Sequence, residues 1–290
     1  MFTLSCESTT DLTKRYLDER NLPVLAYSYT VDGEEYADDM GENGGLALLY
    51  NKIAENKKPS TSQLSEEKYT EFFTQLLQKG DLLHVAMGSG MSQSVDHALS
   101  AAQKLQKQFP ERKIFVVDST CSCVGYGLFV ATLADMRDNG ETVENLYRWA
   151  MENRRNVHHQ FFSTTLQYFR RSGRVSGPAY FIGNMFKLCP IMHLNYDGKI
   201  IAYTKVMSVA KALQKTVEEV AAHVQNGQNY SGKLWVSHAN CMATAQALLT
   251  ELKQRFPKAD VRLFDIGPII ATHCGPGILA VYFWGDERTK

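Results

Sequence analysis

Short apolar runs alternate with longer amphipathic ones along most of the 290-residue chain, and this alternation limits the fold more than any other feature. "FTLSC" (2–6) and "VLAYSYTV" (24–31) read as strands, and Thr10 or Asp11 can cap a helix between them that runs to Arg20. "SEEKYTEFFTQLLQK" (65–79) is a well-marked helix. Ser65 fits the N-cap, Glu66 and Glu67 suit the positive end, Tyr69, Phe72, Phe73, Leu76 and Leu77 share one face, and Gly80 ends it. "LLHVAM" (82–87) and "KIFVVD" (113–118) read as buried strands, with helices expected at 94–109 and 123–140. Strand and helix in this rhythm imply crossover units and a largely parallel sheet.

The polar helix expected at 141–157 reads as a bridge to a second half. There "HHQFFST" (158–164) is strand-like, and 168–186 mixes basic, Gly-rich and apolar residues in short helices and loops. "KLCPIMHLNYDGKIIAY" (187–203) predicts two strands around Asp-Gly. A helix (208–226), a strand (233–238), a helix (240–255), a strand (260–266) and a closing strand from Ile278 to Trp284 complete the pattern. The expected fold class is α/β. Residues 1–155 should hold a mostly parallel sheet with flanking helices, and 156–290 a second, mixed α/β domain.

Composition excludes several function classes. Lys plus Arg number 31 and Asp plus Glu number 31, so no global field would hold the chain on nucleic acid or an anionic membrane. The opening "MFTLSCESTTDL" has no basic region and no long apolar run, so no signal peptide is expected, and no apolar stretch is long enough for a spanning helix. Six thinly spread cysteines are expected to be reduced thiols of a cytoplasmic protein.

Chemistry concentrates at expected strand ends, where α/β folds place their ligands. "GSGMSQS" (88–94) follows one strand and opens a helix, so its glycines and serines either cradle an anion or merely cap the helix. It is not a P-loop, because no Lys follows Gly90; Gln93 breaks the dinucleotide fingerprint and Ser94 breaks the hydrolase elbow. Thr61, Ser62 and Gln63 offer neutral hydrogen-bonding groups that suit a carboxylate better than a triphosphate, or else extend an N-cap. His273 precedes Gly275-Pro276-Gly277 and is either a turn histidine or a ligand donor. Cys121 and Cys123 have C-x-C spacing, and adjacent His158 and His159 face opposite ways in a strand, so no metal site is expected from them. Arg170, Arg171 and Arg174 form a basic cluster that either faces solvent or grips a phosphate or partner.

Taken together, "STTDL", "TSQLS", "GSGMSQS", "VVDSTCSCVGYG", "YFRRSGRVSG", "IGNMFKLCPIMHLNYDGKI" and "IGPIIATHCGPG" run in an order and spacing that resembles the DegV family of bacterial fatty-acid-binding proteins, over essentially the whole chain. The resemblance implies a two-domain fold in which a long-chain fatty acid lies non-covalently in a buried tunnel. It implies no cofactor and no catalytic residue. In part of the family the protein is the carrier that presents the acyl carboxylate to a separate ATP-dependent fatty acid kinase, which makes acyl phosphate. Carried over by motif, the carboxylate ligands are Thr61, Ser62, Ser92, Gln93 and His273, with Arg171 and Arg174 as a kinase or head-group contact. The Gly-Pro-Gly turn is expected to let backbone approach the ligand, and Phe161, Phe162, Phe181, Met185 and Phe186 to line the tunnel. Three departures stand out: Gln93 and Ser172 replace family glycines, and Cys6-Glu7 replaces a Thr-Asp pair. The alternative reading is a lipid hydrolase or acyltransferase that uses Ser92 or Cys274 with His273.

Overall fold

The computed structural model describes residues 2–176 and 188–290. The first strand, β1 (Phe2–Glu7), runs into a 3-10 turn at Ser8–Thr10. Next come α1 (Lys14–Glu19), β2 (Val24–Leu25), β3 (Ser28–Val31), β4 (Glu34–Ala37), α2 (Gly45–Ala54) and β5 (Ser60–Thr61). The chain continues through α3 (Glu66–Leu77), β6 (Asp81–Ala86), α4 (Ser94–Gln108), β7 (Ile114–Asp118), α5 (Cys123–Asp138) and α6 (Val143–Asn153). Then follow β8 (Val157–Ser163), α7 (Gln167–Ser172), β9 (Val175–Ser176), β10 (Cys189–Leu194), β11 (Ile200–Val206) and α8 (Val209–His223). The last elements are β12 (Lys233–His238), α9 (Met242–Arg255), β13 (Asp260–Asp265), α10 (Pro268–Cys274) and β14 (Ile278–Trp284).

Three sheets result. One has strand order β2-β1-β6-β7 and is parallel throughout, as the alternating pattern requires. A small antiparallel sheet orders β4-β3-β5. The third is mixed and runs β13-β12-β14-β8-β10-β11-β9. Strands of the first two sheets all precede residue 155, and strands of the third all follow it. The helices ignore that division. The first nine residues of α5 are all buried, and the helix packs on the Ser8–Thr10 turn on one side and on β8, β12 and β14 on the other.

Two glycines allow this double contact. A Cβ on Gly125 would sit 2.3 Å from His159 Nε2, and one on Gly127 would sit 2.6 Å from the Thr10 carbonyl oxygen. A buried arginine reinforces the joint. Arg288, near the end of the chain, donates to the Thr120 carbonyl at 3.0 Å and to the Thr120 hydroxyl, just ahead of α5.

The structure redraws several expected elements. Thr13, not Thr10 or Asp11, caps α1 by accepting from the Tyr16 N–H at 3.2 Å, because Ser8–Thr10 already form the tighter turn. The expected strand at 24–31 divides into β2 and β3, which join different sheets. No element was expected over residues 32–57, where the short polar strand β4 (EEYA) and helix α2 (GLALLYNKIA, with Leu49 and Ile53 buried one turn apart) form. Residues 268–274, expected as an apolar segment before a turn, form α10, with Pro268 in its first turn and Gly275 after its end. Seven residues are too few to show a helical period, so only those start and stop signals marked it. Ser65 caps α3 as expected, accepting from the Lys68 N–H at 3.4 Å. Phe181, Met185 and Phe186 lie outside the described residues.

Because α5 is wedged between the sheets, Gly125→Ala should overpack the joint and cost about 1–3 kcal/mol. The change would be read as a lower urea midpoint; an unchanged midpoint would show that α5 does not sit this tightly on His159 and Tyr282.

Candidate functional site

Three chain segments meet where β5, the loop after β6 and α10 come together. Their side chains Thr61, Ser62, Gln63, Ser92 and His273 line one cavity of about 90 Å³, joined by Tyr27, Ser122 and Arg174. The Thr61 hydroxyl and His273 Nε2 are hydrogen-bonded at 2.7 Å, across 212 residues of sequence. Ser92 Oγ donates to Ser94 Oγ at 3.0 Å, and Ser94 Oγ also accepts from the Leu64 N–H at 3.2 Å. Buried Ser94, which the sequence offered only as a cap, therefore ties the Thr61 segment to the Ser92 loop.

Most backbone N–H groups of the Gly-Ser loop are taken up inside the protein. The N–H groups of Gly88, Ser89, Met91, Ser92 and Ser94 already donate inside the protein, to Cys121 O, Asp118 Oδ1, Gly88 O, Gly88 O and Ser92 Oγ. Its glycines serve close packing instead. A Cβ on Gly88 would come within 2.7 Å of Thr120 backbone, and one on Gly90 within 2.4 Å of the Gly198 carbonyl oxygen. What the loop offers the cavity is the Ser92 hydroxyl.

The Gly-Pro-Gly turn also departs from expectation. Gly275 and Gly277 have φ of 67° and 87°, which favour glycine. A Cβ on Gly275 would fall 2.1 Å from the Tyr168 ring, and one on Gly277 2.2 Å from Thr164 Oγ1. The missing side chains make room for Tyr168 of α7 and for Thr164 just after β8. His273 itself stands in the last turn of α10 and faces the cavity.

The basic cluster is anchored to that helix end. Arg171 Nη2 donates to the Thr272 carbonyl at 3.4 Å, and the Ser172 hydroxyl donates to the His273 carbonyl at 3.3 Å, satisfying carbonyls that α10 leaves open. Arg174 lines the cavity. Gln93 is exposed at the N-terminus of α4 and is not among the lining residues. Burial, with the Arg174 and Arg171 charges, lowers the His273 pKa to about 4. The ring is therefore neutral at pH 7, with one nitrogen free to donate and the other to accept.

Behind the polar wall lies a network that sequence reading missed. Glu7, at the end of β1, is fully buried and accepts from the Tyr69 hydroxyl, from the Met87 N–H at 3.0 Å and from the Tyr27 hydroxyl at 3.5 Å. Tyr27 and Met87 both line the cavity, so Glu7 fixes two of its walls. The only sequence signal was an acid at a position where the family resemblance puts an aspartate.

The cavity adjoins a second one of about 60 Å³, and the two share Met91, Ser122, Phe169, Ile200, Ile270 and Cys274. The second is walled mainly by buried apolar groups, among them Phe161, Leu194, Ile278 and Ala280. Phe162 is buried but does not line it. Polar groups thus gather at one end and apolar groups at the other. Each volume is below the roughly 300–1,000 Å³ of most small-molecule pockets.

The nucleophile pairs of the alternative reading are not assembled. Ser92 bonds Ser94, His273 Nε2 bonds Thr61, and burial pushes the Cys274 thiol pKa up. Nor do Cys121, Cys123 and His159 converge as ligands. Cys121 faces the Arg154 carbonyl, Cys123 faces Ser237, and the His159 ring bonds backbone of Val157 and Ser122.

The His273 pKa has a measurable sign. A folded value near 4 against 6.5 unfolded means that the native state resists protonation. Stability should fall as pH drops from about 6.5 toward 4, by up to about 3 kcal/mol from this group. NMR titration of the ring should find a midpoint near 4; a midpoint near 6.5 would place His273 in solvent.

Comparison with known proteins gives the family and the fold. A family model described as "Uncharacterised protein, DegV family" matches residues 2–286. A DegV domain-containing protein of Clostridium perfringens is 28% identical over 288 residues, covering 99% of this chain and 98% of that one. A DegV family protein of Thermus thermophilus, described as fatty-acid-binding, superposes with a TM-score of 0.87 at 22% identity, covering 98% of this chain and 99% of that one. A DegV family protein of Ruminococcus gnavus, solved with vaccenic acid, gives 0.84 at 22% identity, covering 97% and 99%. At these identities the structures establish the two-domain α/β fold. With the family model spanning nearly its whole length, the chain belongs to the DegV family.

Proposed function

We propose that this protein binds one long-chain fatty acid non-covalently, with its carboxylate among Thr61, Ser62, Ser92 and His273. The observation that carries this reading is the joined cavity, polar at one end and apolar at the other. Hydroxyls and a neutral imidazole suit a carboxylate, which accepts hydrogen bonds without needing a full counter-charge. DegV family proteins of the same fold, described with vaccenic acid and with heptadecanoic acid bound, support it.

Energetics assign the roles. Burying a methylene contributes roughly 0.8 kcal/mol, so about fourteen of them give on the order of 11 kcal/mol gross. Each hydrogen bond to the charged head adds about 1.5–3 kcal/mol. The tail supplies affinity and the head sets orientation. An extended chain needs more room than the two joined cavities hold, so binding must spread the apolar walls or continue the channel beyond them.

We further propose that the carboxylate is presented to a separate ATP-dependent kinase in the cytoplasm. The polar end is the outer end: Ser62, Gln63 and Arg174 are exposed at its rim, whereas Leu194, Ile278 and Ala280 at the apolar end are buried. A carboxylate oxygen there could attack a γ-phosphorus brought in by another protein, with ADP leaving. Arg174 would sit beside the developing charge. Among the described residues no helix is long and apolar enough to cross a membrane.

Delipidated protein should bind a long-chain acid one to one. Ser92→Ala and His273→Ala should each weaken binding about tenfold or more, and Thr61→Ala the same or less. No binding across saturated and unsaturated chains would overturn the ligand assignment. Arg174→Glu should abolish acyl phosphate formation in the presence of the kinase and ATP; fatty acid binding kept in that variant gives Arg174 a docking role, and binding lost places it in the head-group site. Full activity in that variant would remove Arg174 from the docking surface.

A further inference from the structure

At the far end of the mixed sheet, three elements converge on one point that lies outside the proposed lipid site. His158 comes from the start of β8, His223 from the last turn of α8, and Asp286 from the segment after β14. His158 Nε2 lies 3.0 Å from Asp286 Oδ1, and His223 Nδ1 lies 3.1 Å from the same oxygen. Among the described residues this is the one group of three or more His, Cys, Asp or Glu whose ligand atoms all fall within 4.8 Å of one another. None of the three lines the joined cavity.

We propose that His158, His223 and Asp286 form a binding site for a zinc-class divalent cation. Two imidazoles and one carboxylate are a ligand set such ions favour. Bonds of 2.0–2.2 Å in a tetrahedral site put neighbouring ligand atoms roughly 3.3 Å apart. The two spacings to Asp286 Oδ1 are close to that, and His158 Nε2 would exchange its 2.9 Å bond to the Asp286 carbonyl for the ion. The rings are held before any ion arrives. His158 stacks on Phe283 at 5.1 Å and on His223 at 5.1 Å. Glu219 Oε2 lies 3.7 Å from His223 Nε2, the nitrogen facing away from Asp286, where a carboxylate can steady the ring and leave Nδ1 to bind. Gly285 lets the carboxylate approach, since a Cβ there would fall 2.6 Å from the His158 ring. Asp286 is 62% exposed, which leaves open coordination positions and an entry path.

The site sits where an ion would matter. Asp286 is two residues from Arg288, whose guanidinium holds Thr120. Thr120 precedes Ser122, a wall of the polar cavity. An ion would pin β8, α8 and the terminal segment together and so hold the strap that reaches the junction of the sheets.

Full-length protein, stripped with chelator, would be titrated with Co²⁺ while visible absorption is followed, and with Zn²⁺ in competition. Expected is one saturable Co²⁺ site with visible bands, displaced by Zn²⁺, and a raised unfolding temperature with Zn²⁺. His223→Ala and Asp286→Asn, both at accessible positions, should weaken binding at least tenfold while far-UV dichroism and fatty acid binding stay unchanged. His158→Gln tests the third ligand. Absence of a saturable Co²⁺ site, or binding unaltered by both accessible variants, would overturn the proposal. Fatty acid binding is measured separately, so a failure of either assignment leaves the other readable.

Discussion

One helix in close contact on both sides holds the molecule together. Helix α5 is buried around most of its circumference, with the Ser8–Thr10 turn on one side and the mixed sheet on the other. Side chains at 125 and 127 would push those partners apart, since a Cβ at either position comes within 2.6 Å of a neighbouring atom. Interiors this dense do not deform gradually. The distance between the two sheets, and hence the shape of the cavity between them, is set by these contacts. Cys123, the first residue of α5, has φ 54°, so the loop that leads into the helix is bent as well.

The polar cavity exists because that distance is fixed. Thr61, Ser92 and His273 come from three separate segments and meet only where the sheets and α10 converge. Ser94 joins two of the segments, and the Thr61–His273 bond joins the third. Glu7 stands behind them and holds Tyr27 and Met87 in place. The buried Glu7 carboxyl is met by hydroxyl and N–H donors, with the His84 Nε2 atom 3.6 Å away, as a buried polar group requires. The site is therefore hydroxyl-rich, with the Arg174 charge at its rim, and apolar beyond.

Much of the fold was legible in the sequence because local physics is strong there. Ser65 with Glu66, Glu67 and the apolar face of α3 left little freedom, and neither did the buried β-prone runs of β6 and β7. Where signals were short or mixed, reading failed for identifiable reasons. Helix α10 has seven residues, too few for a period, and α2 lies after a Gly-rich turn. The glycines of the 88–94 loop and of Gly275-Pro276-Gly277 looked like ligand-contact residues. In the structure their missing side chains make room for Thr120, the Gly198 carbonyl, Tyr168 and Thr164.

Sequence by itself determined the α/β class, the parallel first sheet, the mixed second half and three segments that line the polar cavity. These follow from periodicity, capping and motif order, which are properties of neighbouring residues. Tertiary structure alone decided which hydroxyl meets which ring, that Arg171 anchors α10 while Arg174 faces the cavity, and that Gln93 stands outside it. It also brought Glu7 behind the site and His158, His223 and Asp286 together at the far edge. The physical reason is the same throughout. These pairings are set by contacts between residues tens to hundreds of positions apart, and only the packing of α5 and α10 against the sheets brings them within hydrogen-bond reach.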